Sequence, residues 1–420
     1  MYYFKIYQNM DFFKTNFLNN IQNKYLTIYQ YVACFCLFVF ITNKVFALTY
    51  LDYNILRHLA KNLCYLFAIF NLLIFIKEKK IYIVSLSFLF LIIGFFNKKY
   101  TQQTDVLVYT ILVIAFAKMK VNLALKTYLF TVGFLLISII LFSILDLSED
   151  HFFGIREGVI RQAFGFKHAN YLGGLIFFYT MILWTSLNDK IFNNLLCIAL
   201  FVGEYLFIEH YIDSRSAQTM CIIAIITVLL YSAYPLYSDK FNNKILRTIT
   251  KFITVNFILF SASINIFVVY IYSLNSEFGN YLNELLSTRL SLQNNALNNF
   301  NVSLFGDFLY ARIADVDPFS LGSVSAVKYN YLDSFYFYVL YRWGLCSLLV
   351  FLISTLLIAL NSFKAHQFKI NIALICFSIY AISESFYFML CYNIFIYLCF
   401  TNFTKSKDKQ LSKIPNCNNT

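Results

Sequence analysis

Apolar runs of about twenty residues recur along almost the whole chain, and that is the length a helix needs to cross the hydrocarbon core of a bilayer. Twelve runs are read, at roughly 28–50, 59–76, 81–97, 105–119, 125–145, 170–187, 191–208, 216–236, 252–273, 333–360, 370–383 and 385–403. The last two are joined tightly near Glu384, and the first of that pair is short, so the pair can also be one broken element. Only 13% of the 420 residues are charged, whereas a soluble domain carries about a quarter. So few charges cannot cover a soluble surface. The expected fold is therefore an all-α polytopic membrane protein of about 12 transmembrane helices, with residues 1–420 forming a single transmembrane domain. The first run starts late, is too long and lacks a small-residue cleavage site, so it reads as a span and not as a cleavable signal peptide.

The net charge of +12 is distributed as membrane topology requires. Lysines and arginines sit mostly in the short gaps between apolar runs, not on one solvated face, so no nucleic-acid partner is expected. With a cytoplasmic N-terminus, the inside segments and adjoining span ends hold 20 of the 33, and the outside segments hold 12. Six of those 12 belong to the two longest outside loops, which count little toward orientation. Both termini are thus expected in the cytoplasm, with 1–27 as a cytoplasmic N-terminal segment and 404–420 as a cytoplasmic tail. Nine of the ten cysteines lie inside apolar runs with no zinc-ligand spacing and read as small packing residues.

The polar material gathers in a first external loop at 146–169 and a large one at 274–332. Within 21 residues the first loop and the start of the next span carry Gly154, Gly158, Gly165, Gly173 and Gly174, interleaved with Arg156, Arg161, Lys167 and His168. Cationic side chains beside bare backbone amides suit phosphate, although arginines meeting lipid head groups give the same composition. The next external turn places Glu209, His210, Asp213 and Arg215 at the outer edge of two spans, as an anchor or as part of a cavity. In the large loop Leu282, Leu286, Leu290, Leu297 and Phe300 repeat at helical spacing, which predicts an amphipathic helix at the outer interface. Arg289 falls near the boundary between its two faces, suited to a lipid phosphate. Asp333 stands outward at the mouth of a helix, as its cap or as a general base. Glu204, Arg342 and Glu384 are ionisable residues within or near the ends of spans, where they usually face the bundle interior. By helical rise Arg342 is expected roughly 13 Å deeper than Asp333, paired with Glu204 or Glu384.

Four runs in this order, all on one predicted face, resemble the O-antigen ligase and Wzy-type polysaccharide polymerase superfamily, over about 150–345. They are Arg161-Gln-Ala-Phe-Gly165-Phe-Lys-His168-Ala-Asn170, Asp213-Ser214-Arg215, Ser287-Thr-Arg289-Leu with Ser303-Leu-Phe-Gly306, and Tyr331-Leu-Asp333-Ser-Phe-Tyr336 with Gly344. Members often carry proline between the His and Asn of the first run, where this chain has Ala169. Ligases tend to carry histidine where this chain has Asp333, and aspartate there is more similar to the polymerases of Gram-positive capsules and exopolysaccharides. The resemblance implies the GT-C-like fold of that superfamily. It also implies a glycosyltransferase of the cell envelope, polymerising oligosaccharide repeat units carried on undecaprenyl diphosphate or a similar polyprenyl diphosphate. The reaction would run at the outer face of the cytoplasmic membrane, with no metal and no other cofactor. A chain-length regulator and a flippase of the same pathway are the expected partners, beside membrane lipid. The residues that match point to Asp333 as base with His168 behind it, and to Arg161, Arg215 and Arg289 on the diphosphate. Arg156, Lys167, Asn170, Gly306, Glu384 and Arg342 are accessory candidates, and Tyr310, Tyr329, Tyr331 and Tyr336 could stack on sugars. Transfer of glycan to another acceptor by a ligase of the same fold, or flipping of a lipid-linked sugar, are the alternatives.

Overall fold

A computed structural model of the chain describes residues 26–49, 55–147, 155–156, 159–233, 244–286, 289–306, 332–401 and 403. Tyr310, Tyr329 and Tyr331, the tail at 404–420 and nearly all of the segment 1–27 lie outside the described residues. The helices are α1 (Leu26–Ala47), α2 (Ile55–Lys77), α3 (Ile81–Thr101), α4 (Asp105–Phe116), α5 (Val121–Ile144), α6 (Ala169–Ser186) and α7 (Ile191–Phe207). There follow α8 (Arg215–Ala233), α9 (Lys244–Ser273), α10 (Glu277–Leu285), α11 (Arg289–Asn299), α12 (Phe335–Lys364) and α13 (Phe368–Ser383). A π-helical turn, Ile208–Ile212, continues α7. Two strands of two residues each, β1 (Ile155–Arg156) and β2 (Val159–Ile160), form an antiparallel hairpin in the first loop, a small departure from the all-α expectation.

Among the described residues seven helices are long and apolar enough to cross a membrane: α1, α3, α5, α7, α8, α9 and α12. Their outward faces carry large apolar side chains, Phe130 and Phe192 being 70% and 73% exposed. Apolar exposure on this scale fits lipid and not water. The chain is a multi-pass helical membrane protein.

Polar contacts define the two ends of the bundle. At one end the α1 residue Gln30 donates to the Lys118 carbonyl, Glu78 beyond α2 pairs with Lys118 beyond α4, and Lys369 at the start of α13 binds Asp189 between α6 and α7. At the other end Lys44 in the last turn of α1 meets Asp105 of α4, and Lys167 donates to the Ala47 carbonyl. That second end holds the candidate site. Buried amides fasten the helices between these ends: Asn71 of α2 donates to the carbonyls of Ile114 and Ala115 in α4, and Ser334 donates to Asn265 of α9. In lipid such hydrogen bonds join helices where apolar burial alone cannot.

Three expectations are corrected. The run at 105–119 contains a helix of only 12 residues, Asp105–Phe116, nearly all of it buried among its neighbours, so it packs the interior without spanning on its own. The run at 385–403 is not a helix. It is a buried irregular segment with two short 3₁₀ turns, Ser385–Phe388 and Phe395–Leu398. It returns through the bundle from Glu384 to Cys399, whose carbonyl accepts from Asn361 three residues before the end of α12. Non-helical backbone survives at such depth only when protein satisfies its polar groups. Tyrosines do so here: Tyr128 donates to the Cys391 carbonyl at 2.6 Å and Tyr109 to that of Ile396 at 3.1 Å.

The third correction concerns α12, which turns sharply at Gly344 (φ +88°, ψ 168°). The ring of Phe351 lies 5.8 Å from that of Phe335 and 5.9 Å from that of Trp343. Positions sixteen apart on a straight helix are separated by about 24 Å, so the segment before Gly344 folds back against the helix after it. The first N–H groups after the break, of Leu345 and Cys346, bond at 3.0 Å to the carbonyls of Ser303 and Leu304. Gly306 (φ +89°) sits in the same crossing, and a Cβ on either glycine would overlap the backbone of the other segment. Asn97 of α3 completes the junction by donating to the carbonyls of Phe305 and Trp343. Arg342 is therefore not a deeper continuation of Asp333. It lies at the α3–α4 turn, donating to Gln103 at 2.8 Å, and not to Glu204 or Glu384.

Candidate active site

Glu384 is the centre of the polar end. The residue directly after α13 has extended backbone (φ −139°), and its side chain is 4% exposed. One of its oxygens, Oε1, accepts from Arg289 Nη2 at 2.7 Å, Ser216 Oγ at 2.7 Å and Asn170 Nδ2 at 3.3 Å. These donors occupy the first or second positions of α11, α8 and α6. Three helix N-termini thus converge on one carboxylate, and each places the positive end of its dipole toward the negative charge.

Arg289 connects buried Glu384 to half-buried Asp333. Its Nε lies 3.3 Å from Asp333 Oδ2, and its Nη1 also donates to the Ser383 carbonyl. Burial pulls the guanidinium toward lower pKa, but Glu384 and Asp333 outweigh it and hold the group protonated. The Asp333 carboxyl is pushed up to about 7, mainly by burial; Arg289 opposes the rise and Glu384 adds to it. A carboxyl poised there can exchange a proton near neutral pH. The helix cap next to it is Ser334, so Asp333 does not serve as the N-cap of α12.

Arg161 forms the second layer. Its Nη2 donates to Asn170 Oδ1 at 3.2 Å, its Nε donates to the Ile212 carbonyl at 3.3 Å, and Asp213 Oδ2 stands 3.9 Å away. Asn170 therefore bridges Arg161 to Glu384. The first-loop run reaches this position because Gln162 N–H bonds to the Tyr211 carbonyl and Phe164 packs on Phe207 and Tyr211. Asp213, at φ +48°, closes the π turn and starts the chain into α8.

The other candidates have more local positions. His168 caps α6, its Nδ1 accepting from the Asn170 N–H at 3.0 Å. Lys167 is exposed and tied to the end of α1. Arg215 is exposed at the first position of α8, and its neighbour Ser216 is the residue that reaches Glu384. Arg156 is described by its backbone alone, in β1. Gly306 and Arg342 belong to the α3–α12 junction. The amphipathic helix is two helices, α10 and α11, and Arg289 starts the second, with its side chain turned inward and not lying at a lipid interface. Tyr336 is buried and donates to the Ser378 carbonyl, so it presents no face to a sugar.

The sequence groups Arg161, Asn170, Arg289 and Asp333 but does not point to Ser216, and it pairs Glu384 with Arg342 where the structure has Arg289. The signal for Glu384 was its position, a lone acid between two apolar runs. Comparison with family models, with curated proteins and with solved structures gives no match for this chain.

Proposed function

We propose that this protein polymerises polyprenyl-diphosphate-linked oligosaccharide repeat units by glycosyl transfer. The observation that carries the reading is the convergence of Arg289, Asp333, Glu384, Asn170 and Arg161, from four separate segments, at one end of an apolar bundle. Ionised groups in such surroundings are costly and mark function more often than scaffold. Four of the five come from segments that resemble the Wzy-type polymerases. The excess of lysine and arginine at the opposite end supports an external position for the site and cytoplasmic termini.

In this reading the diphosphate of the donor displaces the carboxylates from Arg289, whose planar fork matches two phosphate oxygens. Asp333, relieved of its cation, takes the proton of the acceptor hydroxyl. That oxygen bonds to the anomeric carbon of the donor sugar as the bond from that carbon to the diphosphate oxygen breaks. The diphosphate departs with its lipid, and its growing charge falls on Arg289 and the N-termini of α6, α8 and α11. Arg161 positions Asn170, and Arg215 stands at the rim.

Analysis of lipid-linked sugars in a strain lacking the protein tests this reading. Accumulation of single repeat units on the lipid is the expected result. Long polymer retained on the carrier would indicate a ligase, and normal polymer would exclude both activities.

A further inference from the structure

Tyr380 lies one helical turn before Glu384 on α13, and its carbonyl accepts the Glu384 N–H at 2.9 Å. The side chain is 1% exposed, and its hydroxyl has no hydrogen-bond partner. The hydroxyl nevertheless belongs to the polar end: its neighbouring hydroxyl is Ser216, which is outside hydrogen-bond geometry to it and donates to Glu384 instead, and the charges of Glu384 and Arg289 act on it. The rings of Phe177 and Phe178, with centroids at 5.4 and 5.5 Å, hold the phenol in place. Gly174 of α6 packs directly on this group: a Cβ there would come within 2.9 Å of the Phe386 ring and 3.2 Å of the hydroxyl. A buried hydroxyl left unbonded is destabilising by about 1–3 kcal/mol, and phenylalanine would fill the same volume without that penalty.

We propose that Tyr380 is a positioning residue, held in reserve as the hydrogen-bond donor to Glu384 for the state in which Arg289 has turned to an anionic substrate. This rests on the reading that Arg289 binds the donor diphosphate. In the resting site Arg289, Ser216 and Asn170 satisfy Glu384. When the guanidinium leaves, the carboxylate loses its cation and its strongest donor. Tyr380 then donates its O–H to the carboxylate, keeps Glu384 in place and lets Arg289 move without stranding a buried charge. Ser216 has the opposite role, since its bond exists before any ligand arrives.

The test uses full-length protein in lipid nanodiscs, with farnesyl diphosphate as the probe. Thermal unfolding without ligand and the Kd for the probe are measured for wild type, Tyr380→Phe and Ser216→Ala. Tyr380→Phe is expected to leave the ligand-free unfolding temperature unchanged or raised while weakening probe binding about tenfold, the equivalent of one hydrogen bond. Ser216→Ala is expected to lower the ligand-free unfolding temperature. Binding by Tyr380→Phe equal to wild type overturns the role of Tyr380 alone. A ligand-free unfolding temperature that falls in Tyr380→Phe makes the residue structural and overturns it as well. Wild type that does not bind the probe overturns the diphosphate reading and this inference together.

Discussion

Arg289 makes three contacts at once, to Glu384, to Asp333 and to the Ser383 carbonyl, and only a planar fork can do so. Removing it leaves Glu384 buried with its charge uncompensated. Arg289→Ala is therefore expected to lower stability by about 3 kcal/mol, and Arg289→Ala/Glu384→Ala to recover at least a third of the loss. Chemical unfolding of the two variants and of Glu384→Ala measures the coupling. The pH dependence of the reaction belongs to Asp333. A base acts only when ionised, and in the ligand-free site burial pushes its titration up to about 7, so kcat/KM should rise about tenfold per unit below that pH and level off above it. Asp333→Asn should lose at least about 100-fold in rate together with that rise. A retained rise in this variant would assign the titration to another group.

At the scale of elements, the Gly306–Gly344 crossing and the final buried segment are the parts that sequence periodicity did not reveal. Gly344→Ala meets both a positive φ and an overlap with Gly306, and should lower stability by more than about 2 kcal/mol. Gly203→Ala, at a helical position with nothing within 4 Å of the added carbon, should be neutral or mildly stabilising. Thermal unfolding of the pair separates strain from simple loss of a glycine. Tyr128→Phe removes the donor to the Cys391 carbonyl and should lower stability by about 1–3 kcal/mol, read in the same experiment. Helical rise places Arg342 deeper than Asp333 only if α12 runs straight, and Gly344 breaks it. The run at 385–403 looked like a span because an uncharged apolar run has the same composition whether it faces lipid as a helix or lies buried as an irregular chain. The decisive difference is in tertiary hydrogen bonds: tyrosine hydroxyls from α4 and α5 reach its carbonyls.

For the whole molecule, a multi-pass helical membrane protein was legible from the length and recurrence of the apolar runs. The gathering of distant loop residues at one end was legible because short connections force successive spans to alternate in direction. Arg161, Asn170, Arg289 and Asp333 meet as that alternation requires. Their mutual partners were not legible, because side-chain pairing depends on where helices start: α8 turns its second residue, Ser216, inward and α11 its first, Arg289. Sidedness carries its own prediction. Cysteine introduced at the exposed Tyr100, at the site end, should react with an impermeant thiol reagent on intact cells, and cysteine at Lys79, at the opposite end, should not. The reverse labelling would put the site in the cytoplasm and remove the surface-polysaccharide reading.

The most direct test of the central claim follows chain length. Purified protein in nanodiscs is supplied with the cognate repeat unit on a polyprenyl diphosphate, and the products are separated on a gel. The account predicts a ladder of lengths from wild type and none from Arg289→Ala or Asp333→Asn. A single unlengthened band from folded wild type would contradict it.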